Sequence, residues 1–321
     1  MKIHIPALYR TKNVGGKEFF CKRLAREFRN MGHKIIESES EKHDINLLAG
    51  LTKNKSKTKT IFRADGVYNN TEIFYSFLNS KIKKTINFSN AVIYQSEFSK
   101  IMCNQYLGKA KRPSTIIFNG FDPLDYKDIN AFNSKYKYNF LTSSKWRPHK
   151  RLRDIIKCFK LANIKDSCLY VAGDLTNSGI PHGKMKEYVA KSKNIIFLDN
   201  VENKKLLSYI KMCDCFIHLC WMESCPNGVV EAIAAGKPVI TNNVGGTKEI
   251  VEPSGGIICK IDKKYDLKPC RLYKPPKFNY KIISDAMKYV ISNKIDIKND
   301  HLDIKNIAKQ YIAFFRKVLR G

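Results

Sequence analysis

Short apolar runs alternate with longer segments whose apolar positions recur at helical spacing, and this pattern continues along the whole chain. Lys2–Ala7 reads as a first strand and Thr11–Gly16 as a loop ending in a glycine pair. Lys17–Met31 then carries Phe19, Phe20, Leu24, Phe28 and Met31 on one helix face. Gly32 stops that helix, and Lys34–Glu37 resumes as a strand. Ile45–Leu48, Thr60–Arg63, Ala91–Gln95 and Thr115–Phe118 are the next strand candidates. In the second half they are Asn139–Thr142, Cys168–Ala172, Ile195–Leu198, Cys215–Leu219, Pro238–Thr241 and Ile257–Cys259, with helical segments such as Arg153–Leu161 and Lys204–Met212 between them. Alternation of this kind predicts parallel sheets covered on both faces by helices. Two such series predict two doubly wound α/β domains, divided within Asn119–Tyr138, where no period is visible. Lys260–Tyr280, with Pro269, Pro275 and Pro276, reads as an irregular excursion. The tail from Asp303 to Arg320 is an amphipathic helix with Ile304, Ile307, Ala308, Tyr311, Ile312, Phe315 and Leu319 on one face.

Composition agrees with a folded chain, because 43% of the 321 residues are hydrophobic and 27% charged. No run approaches the roughly 18 apolar residues of a membrane-spanning helix. The first residues lack the apolar run of a secretory signal, so the expected location is the cytoplasm. Ten cysteines without regular spacing read as free thiols in a reducing compartment. Cys213, Cys215, Cys220 and Cys225 lie close together, but their spacings are not the paired knuckles of structural zinc. The net charge of +29 does change the picture, since such a field attracts phosphate-bearing partners. Its densest run, Lys53 to Lys59, reads as an exposed loop. Lys22, Arg23, Arg26 and Arg29 fall largely away from the apolar face of the first helix, a surface suited to peripheral contact with an anionic membrane.

The chemistry concentrates between Trp221 and Ile240. An apolar strand ends at His218–Leu219, and the carboxylate of Glu223 follows in the loop. Pro226-Asn227-Gly228 then opens a small-residue helix with Glu231 in its first turn. Free amides at a helix start attract phosphate, so two carboxylates beside such a start suggest a sugar-phosphate ligand. Glu231 has a structural alternative as a helix-stabilising acid. His33 follows the helix stop and reads as structural, while His149, His182 and His218 show no partner spacing.

The stretch from Trp221 to Ile250 closely resembles the Glu-x7-Glu signature of the family 4 retaining glycosyltransferases. The resemblance extends along most of the chain. Asn13-Val-Gly-Gly16, with Arg26 to His33, is similar to the family's glycine loop and first helix, and Ile116 to Asp122 to its linker-side segment. Ser143 to Lys150 resembles the basic phosphate-binding segment, Leu169 to Asp174 the following strand and turn, and Asn194 to Val201 the base-side loop. The resemblance implies the GT-B fold, with two Rossmann-like doubly wound domains facing across a donor cleft. Residues 1–128 would be the acceptor-side domain, 129–300 the donor domain, and 301–321 a helix crossing back to the first.

The implied activity is transfer of a hexosyl group, with retained configuration, from a UDP- or GDP-sugar to a glycan, lipid-linked or protein acceptor. By the same resemblance Glu223 contacts the transferred sugar and Glu231 the ribose. Asn227, Gly228 and Val229 present amides to the donor, with Gly15 and Gly16 also on the donor side. Lys150 matches the family's pyrophosphate lysine. The usual arginine is replaced by Lys145, with Arg147 two residues later, which leaves the second clamp open, since Arg binds bidentately and Lys does not. Asp65, with Arg63, is the catalytic candidate on the acceptor side; a plain strand-end turn is the alternative. The chain contains no Asp-x-Asp pair, and the expectation is that no metal or other cofactor is needed. Two other readings compete: a basic nucleic-acid or membrane-surface binding protein on the same scaffold, and a sugar-nucleotide epimerase or hydrolase. No recognisable nucleic-acid motif supports the first, which leaves the Glu223/Glu231 constellation unexplained.

Overall fold

A computed structural model describes residues 1–9, 15–176, 178–179, 187 and 192–321. Among these, every named strand runs parallel to its neighbours, in two six-stranded sheets. The chain divides into unit 1, Met1–Asp122 with Leu267–Pro269 and Asp300–Gly321, and unit 2, Pro123–Asp266 with Cys270–Asn299.

In unit 1 the strands are β1 (Lys2–His4), β2 (Lys34–Ile36), β3 (Ile45–Leu48), β4 (Lys59–Ala64), β5 (Ala91–Tyr94) and β6 (Ser114–Ile116). Their order is β2-β1-β3-β4-β5-β6, so the winding direction reverses beside β1. The first strand is shorter than the apolar run suggests, because a 3-10 turn takes over at Pro6, whose nitrogen has no hydrogen to give a ladder. On one face lies α1 (Gly16–Asn30), whose Phe20, Leu24 and Phe28 are fully buried. The chain's last helix, α9 (Ile304–Arg320), packs into the same core, with Phe28 and Phe315 edge to face at 5.8 Å. Asp303 caps α9 by accepting the Lys305 amide at 2.7 Å. Gly120 is required at the point of entry: a Cβ there would lie 2.9 Å from the Ile304 side chain and 3.2 Å from its backbone.

The other face of the sheet is covered by α2 (Tyr75–Phe88) and α3 (Glu97–Leu107) around Ile82, Ile86, Tyr94 and Cys103. These two helices escape the strand-and-helix reading, because only narrow apolar stripes mark them. The charged face expected on α1 is also smaller than the sequence suggests. Arg23 is buried and Arg26 is ion-paired to Asp122 at 2.5 Å, leaving Lys22 and Arg29 exposed.

Unit 2 contains β7 (Tyr138–Ser143), β8 (Ser167–Ala172), β9 (Ile195–Asp199), β10 (Cys215–His218), β11 (Val239–Asn242) and β12 (Ile257–Cys259). Their order is β12-β11-β10-β7-β8-β9. The helices are α4 (Leu152–Ala162), α5 (Asn203–Met212), α6 (Asn227–Ala234), α7 (Thr247–Val251) and α8 (Tyr280–Ser292). Their apolar faces close a core around Phe140, Ile156, Leu169, Ile217, Ile240 and Met287. The first strand, β7, is flanked by β8 and β10, so the topological switch lies between β7 and β10. In open parallel sheets that is where ligands bind, outside the carboxyl ends of the strands. No described helix is long and apolar enough to cross a membrane.

Candidate functional site

The loops leaving β7 and β10, the two strands at the switch point of unit 2, bring together the residues that carry charge. The loop after β7 is anchored by Trp146, which is 1% exposed and donates its indole N–H to the Ala172 carbonyl at 2.9 Å. Gly173 lets the next strand's turn pass against it, since a Cβ there would fall 1.9 Å from the Ser144 carbonyl oxygen. Past Trp146 a single 3-10 turn, Pro148–Lys150, aims Lys150 back over the sheet. After β10, Met222 adopts φ 64° in the left-handed region and turns the chain sharply into Glu223. The Glu223 main chain is gripped by the Gly245-Gly246 turn, where the Gly246 amide donates to the Glu223 carbonyl at 2.8 Å. Gly245 sits at φ 89°, and a Cβ would meet the Glu223 backbone at 2.9 Å.

Lys150 and Glu223 form an ion pair with Nζ 2.5 Å from Oε1. The second carboxylate oxygen, Oε2, is 2.8 Å from Nε2 of His218 at the end of β10. His218 thus has a partner that its spacing in the sequence does not reveal, because strand and loop fold back on each other within five residues. Burial would push the Glu223 carboxyl up, yet the Lys150 ammonium and the His218 hydrogen bond hold it well below the usual range. For Lys150, burial would lower the value, and Cys220 and Glu223 together hold it above normal. The Cys220 thiol is itself pushed up by burial and stays protonated, so Glu223 carries the charge that stabilises the ammonium.

The neighbours of this pair are structural. His149 is buried and stacks on Tyr273 with centroids 5.6 Å apart; desolvation, reinforced by the Lys150 charge, lowers its pKa to about 3 and keeps it neutral. Arg151 adopts the left-handed conformation, and its buried guanidinium grips Asp262 through two hydrogen bonds of 2.8 and 2.6 Å. Lys145 and Arg147 are exposed on the same turn.

The helix start that was expected to present donor amides is α6, with Pro226 as its cap. The Val229 amide is already used, donating to the Pro226 carbonyl at 3.1 Å. Gly228 allows close packing, since a Cβ would lie 3.2 Å from the Phe216 ring. Glu231 falls in the second turn of α6, not the first, because the helix begins at Asn227; it is 5% exposed.

Among the described residues, His218, Cys220 and Glu223 are the group with metal-ligand chemistry, their ligand atoms within 4.8 Å of one another. The Lys150 ammonium, bonded to both Glu223 and Cys220, already supplies positive charge at that spot. The Cys213, Cys215, Cys220 and Cys225 set does not form a metal cluster among the described residues: all four are buried and outside any disulfide, and Cys213 donates to the Ile210 carbonyl.

Asp65, in unit 1, follows β4. Its Oδ1 accepts from Arg63 and from Gln95, both at 2.6 Å, and its Oδ2 lies 2.5 Å from Lys17. Arg63 is 2% exposed, donates also to Asn119, and lies 4.7 Å over the Phe20 ring. Asp65 is thus tied on both oxygens to groups that neutralise it. Gly15 is the N-cap of α1, and its amide donates to Glu18 at 2.9 Å, so the chain's own carboxylate occupies that amide. Gly16 is the first helical residue. Asn13, Val14 and His182 lie outside the described residues.

Comparison with known proteins agrees with this architecture. Residues 125–269 match the family described as glycosyl transferases group 1. An uncharacterized glycosyltransferase of Methanocaldococcus jannaschii is 27% identical over 227 residues, which is 64% of this chain and 54% of that protein. The match therefore spans about half the length of that relative. A glycosyltransferase involved in avilamycin A biosynthesis is similar in structure with a TM-score of 0.67 and 12% identity, over 100% of this chain and 98% of the other. Sucrose-phosphate synthase from Thermosynechococcus elongatus gives 0.74 and 10%, over 100% and 99%. Anabaena HepE, solved in complex with UDP and glucose, gives 0.67 and 15%, over 99% and 100%. The fold is GT-B.

Proposed function

From the match of residues 125–269 to the family described as glycosyl transferases group 1, we propose that this chain moves a hexosyl group from a UDP- or GDP-sugar to an acceptor hydroxyl with retention of anomeric configuration. The observation that carries this reading is the Lys150–Glu223–His218 cluster at the switch point of its sheet. A nucleoside diphosphate needs positive charge, and a transferred sugar needs acceptors for its hydroxyl hydrogens. Lys150 has three N–H donors; on donor binding it turns from Glu223 toward the diphosphate. Glu223, ionised throughout the physiological range, then accepts hydroxyls of the sugar. A carboxyl held this low is a poor general acid, so Glu223 positions and does not donate protons.

In the proposed step the bond between the anomeric carbon and the diphosphate oxygen breaks. The acceptor oxygen bonds to the same face of that carbon, and its proton passes to the departing diphosphate. Lys150, with exposed Lys145 and Arg147 on the same turn, stabilises the charge that develops. Glu231 holds the ribose, and neither metal nor cofactor is required. The acceptor is a glycan, a lipid-linked sugar or a protein, and the site of action is the cytoplasm. The bound UDP of the Anabaena relative favours UDP as the nucleotide.

Titration against UDP-, GDP-, ADP- and dTDP-sugars in the presence of EDTA tests this reading. One nucleotide sugar is expected to raise the Tm selectively, and NMR of the product to show the donor's anomeric configuration. Stabilisation by none of the four overturns it. Catalytic conversion of the donor without any acceptor would assign the site to an epimerase or hydrolase instead.

A further inference from the structure

The helix α2 presents to solvent a stripe that its neighbours in unit 1 leave uncovered. Phe74, Phe77, Lys81, Lys84 and Phe88 follow one another at spacings of three and four residues, and so share one helical face. Phe74 is 86% exposed and Phe77 60%, and Ile73 beside them 37%. Large rings this open are rarely left to water without use. The lysines rest on the stripe's own rings, Lys81 Nζ 4.4 Å from the Phe77 centroid and Lys84 Nζ 5.5 Å from that of Phe88. Lys83 is exposed as well, and Tyr75–Phe88 contains no acidic residue.

More positive charge is fastened to the same helix. The Thr52 amide donates to Thr85 Oγ1 at 3.2 Å, tying the loop that carries exposed Lys53, Lys55 and Lys57 to α2. Leu51 at the root of that loop is 49% exposed. At the far end, Arg112 donates to the Asn87 carbonyl at 3.0 Å. Within Tyr68–Phe88 the only carboxylate is Glu72.

We infer that this face of unit 1 docks on an anionic lipid surface, with Phe74, Phe77 and Ile73 entering the acyl boundary. Lys81, Lys83, Lys84 and the Lys53–Lys57 loop would engage the headgroups. Charge complementarity and ring geometry select this partner. Phenyl rings give apolar area to the interface, and long lysine stems let their charges reach the headgroups. Nucleic acid would be expected to find arginines and flat stacking platforms along a groove; here the cations near the rings are lysines on a convex helix. The sequence placed the basic surface on α1, whose Arg23 and Arg26 the fold consumes; α2 carries it instead. The inference stands independently of the transferase reading.

Phe74→Trp supplies a reporter, since the native Trp146 and Trp221 are both buried. With phosphatidylcholine vesicles containing 30–40% phosphatidylglycerol (about that fraction is needed for a strong surface potential), the added tryptophan should shift to the blue and be quenched by brominated acyl chains. Pure phosphatidylcholine should give little change. In the natural sequence, Phe74→Ser with Phe77→Ser should weaken sedimentation with the anionic vesicles by about tenfold or more. Its Tm should stay unchanged, because both rings are exposed. No blue shift, or vesicle binding unaffected by the double substitution, would overturn the proposal. So would an oligonucleotide that binds in a Phe74- and Phe77-dependent way when vesicles do not.

Discussion

Met222 at φ 64° turns the chain so that Glu223 meets Lys150 on one carboxylate oxygen and His218 on the other. When Lys150 turns to the diphosphate, His218 keeps its hold on the other oxygen, so the Glu223 carboxylate itself needs little reorganisation to meet the sugar. Glu223→Ala should abolish sugar transfer in a product assay while circular dichroism shows the fold intact. Lys150→Ala removes a charge-assisted contact worth about 1.5–3 kcal/mol, so calorimetry should show the donor bound some tenfold to hundredfold more weakly. His149 makes a separate pH prediction. The unfolded chain takes up a proton on this ring near 6.5, whereas the folded chain resists to about 3, because burial and Lys150 oppose the charge. The unfolded state binds more protons between these values, so stability should fall as pH drops from 6.5 toward 3. Urea unfolding at pH 7 and pH 4 should show a smaller loss for His149→Phe, which keeps the stacked ring and cannot titrate.

Strand and helix identity follow from periodicity, so the elements around the site could be read directly. Ile45–Leu48 and Ile257–Cys259 have the limits that the apolar runs suggest, while α4 extends one residue beyond its expected span at each end and α5 one residue at its start. The helices α2 and α3 could not be read so well, because polar Asn79, Thr85 and Ser99 take part in their buried faces and dilute the period. The basic turn from Lys145 to Arg151 shows a further limit. Its cations look alike in sequence, yet they serve as exposed charge, as the partner of Glu223, and as a buried structural ion. Arg151 and Asp262 have fully buried side chains, and removing one partner strands the other charge. Asp262→Ala should therefore cost about 3–5 kcal/mol in urea unfolding. Replacing the pair with Arg151→Met and Asp262→Leu should recover most of that loss.

At the scale of the molecule, the last helix completes a core that the first hundred residues cannot close. Ile307, Tyr311, Ile312 and Phe315 of α9 are at most 2% exposed against α1 and the sheet of unit 1. Each buried apolar side chain of this kind contributes about 1.5–3 kcal/mol. Their sum rivals the roughly 5–15 kcal/mol that stabilises a whole domain. A chain ending at Asp300 should therefore lose the cooperative unfolding transition of unit 1 in calorimetry, or fail to remain in solution. The charge of +29 belongs to this scale too: composition gives its size, while the fold decides where it acts. Arg23, Arg63 and Arg151 are buried, whereas the lysines of α2 and the neighbouring loop remain in solvent.

The alternation of apolar runs determined the parallel α/β class, since burial on both sheet faces leaves its mark in local sequence. The order of Lys150, Glu223 and Glu231 along the chain was equally plain, because a loop or helix start is a local feature. Only the tertiary structure decided that β7 and β10 are neighbours, which brings Lys150 to Glu223. It alone paired His218 with Glu223, tied Asp65 to Arg63, Gln95 and Lys17, and left Phe74 and Phe77 uncovered. Those outcomes depend on which strands lie side by side, how each loop turns back and which helix faces find a partner, and periodicity carries no record of which polar side chains meet.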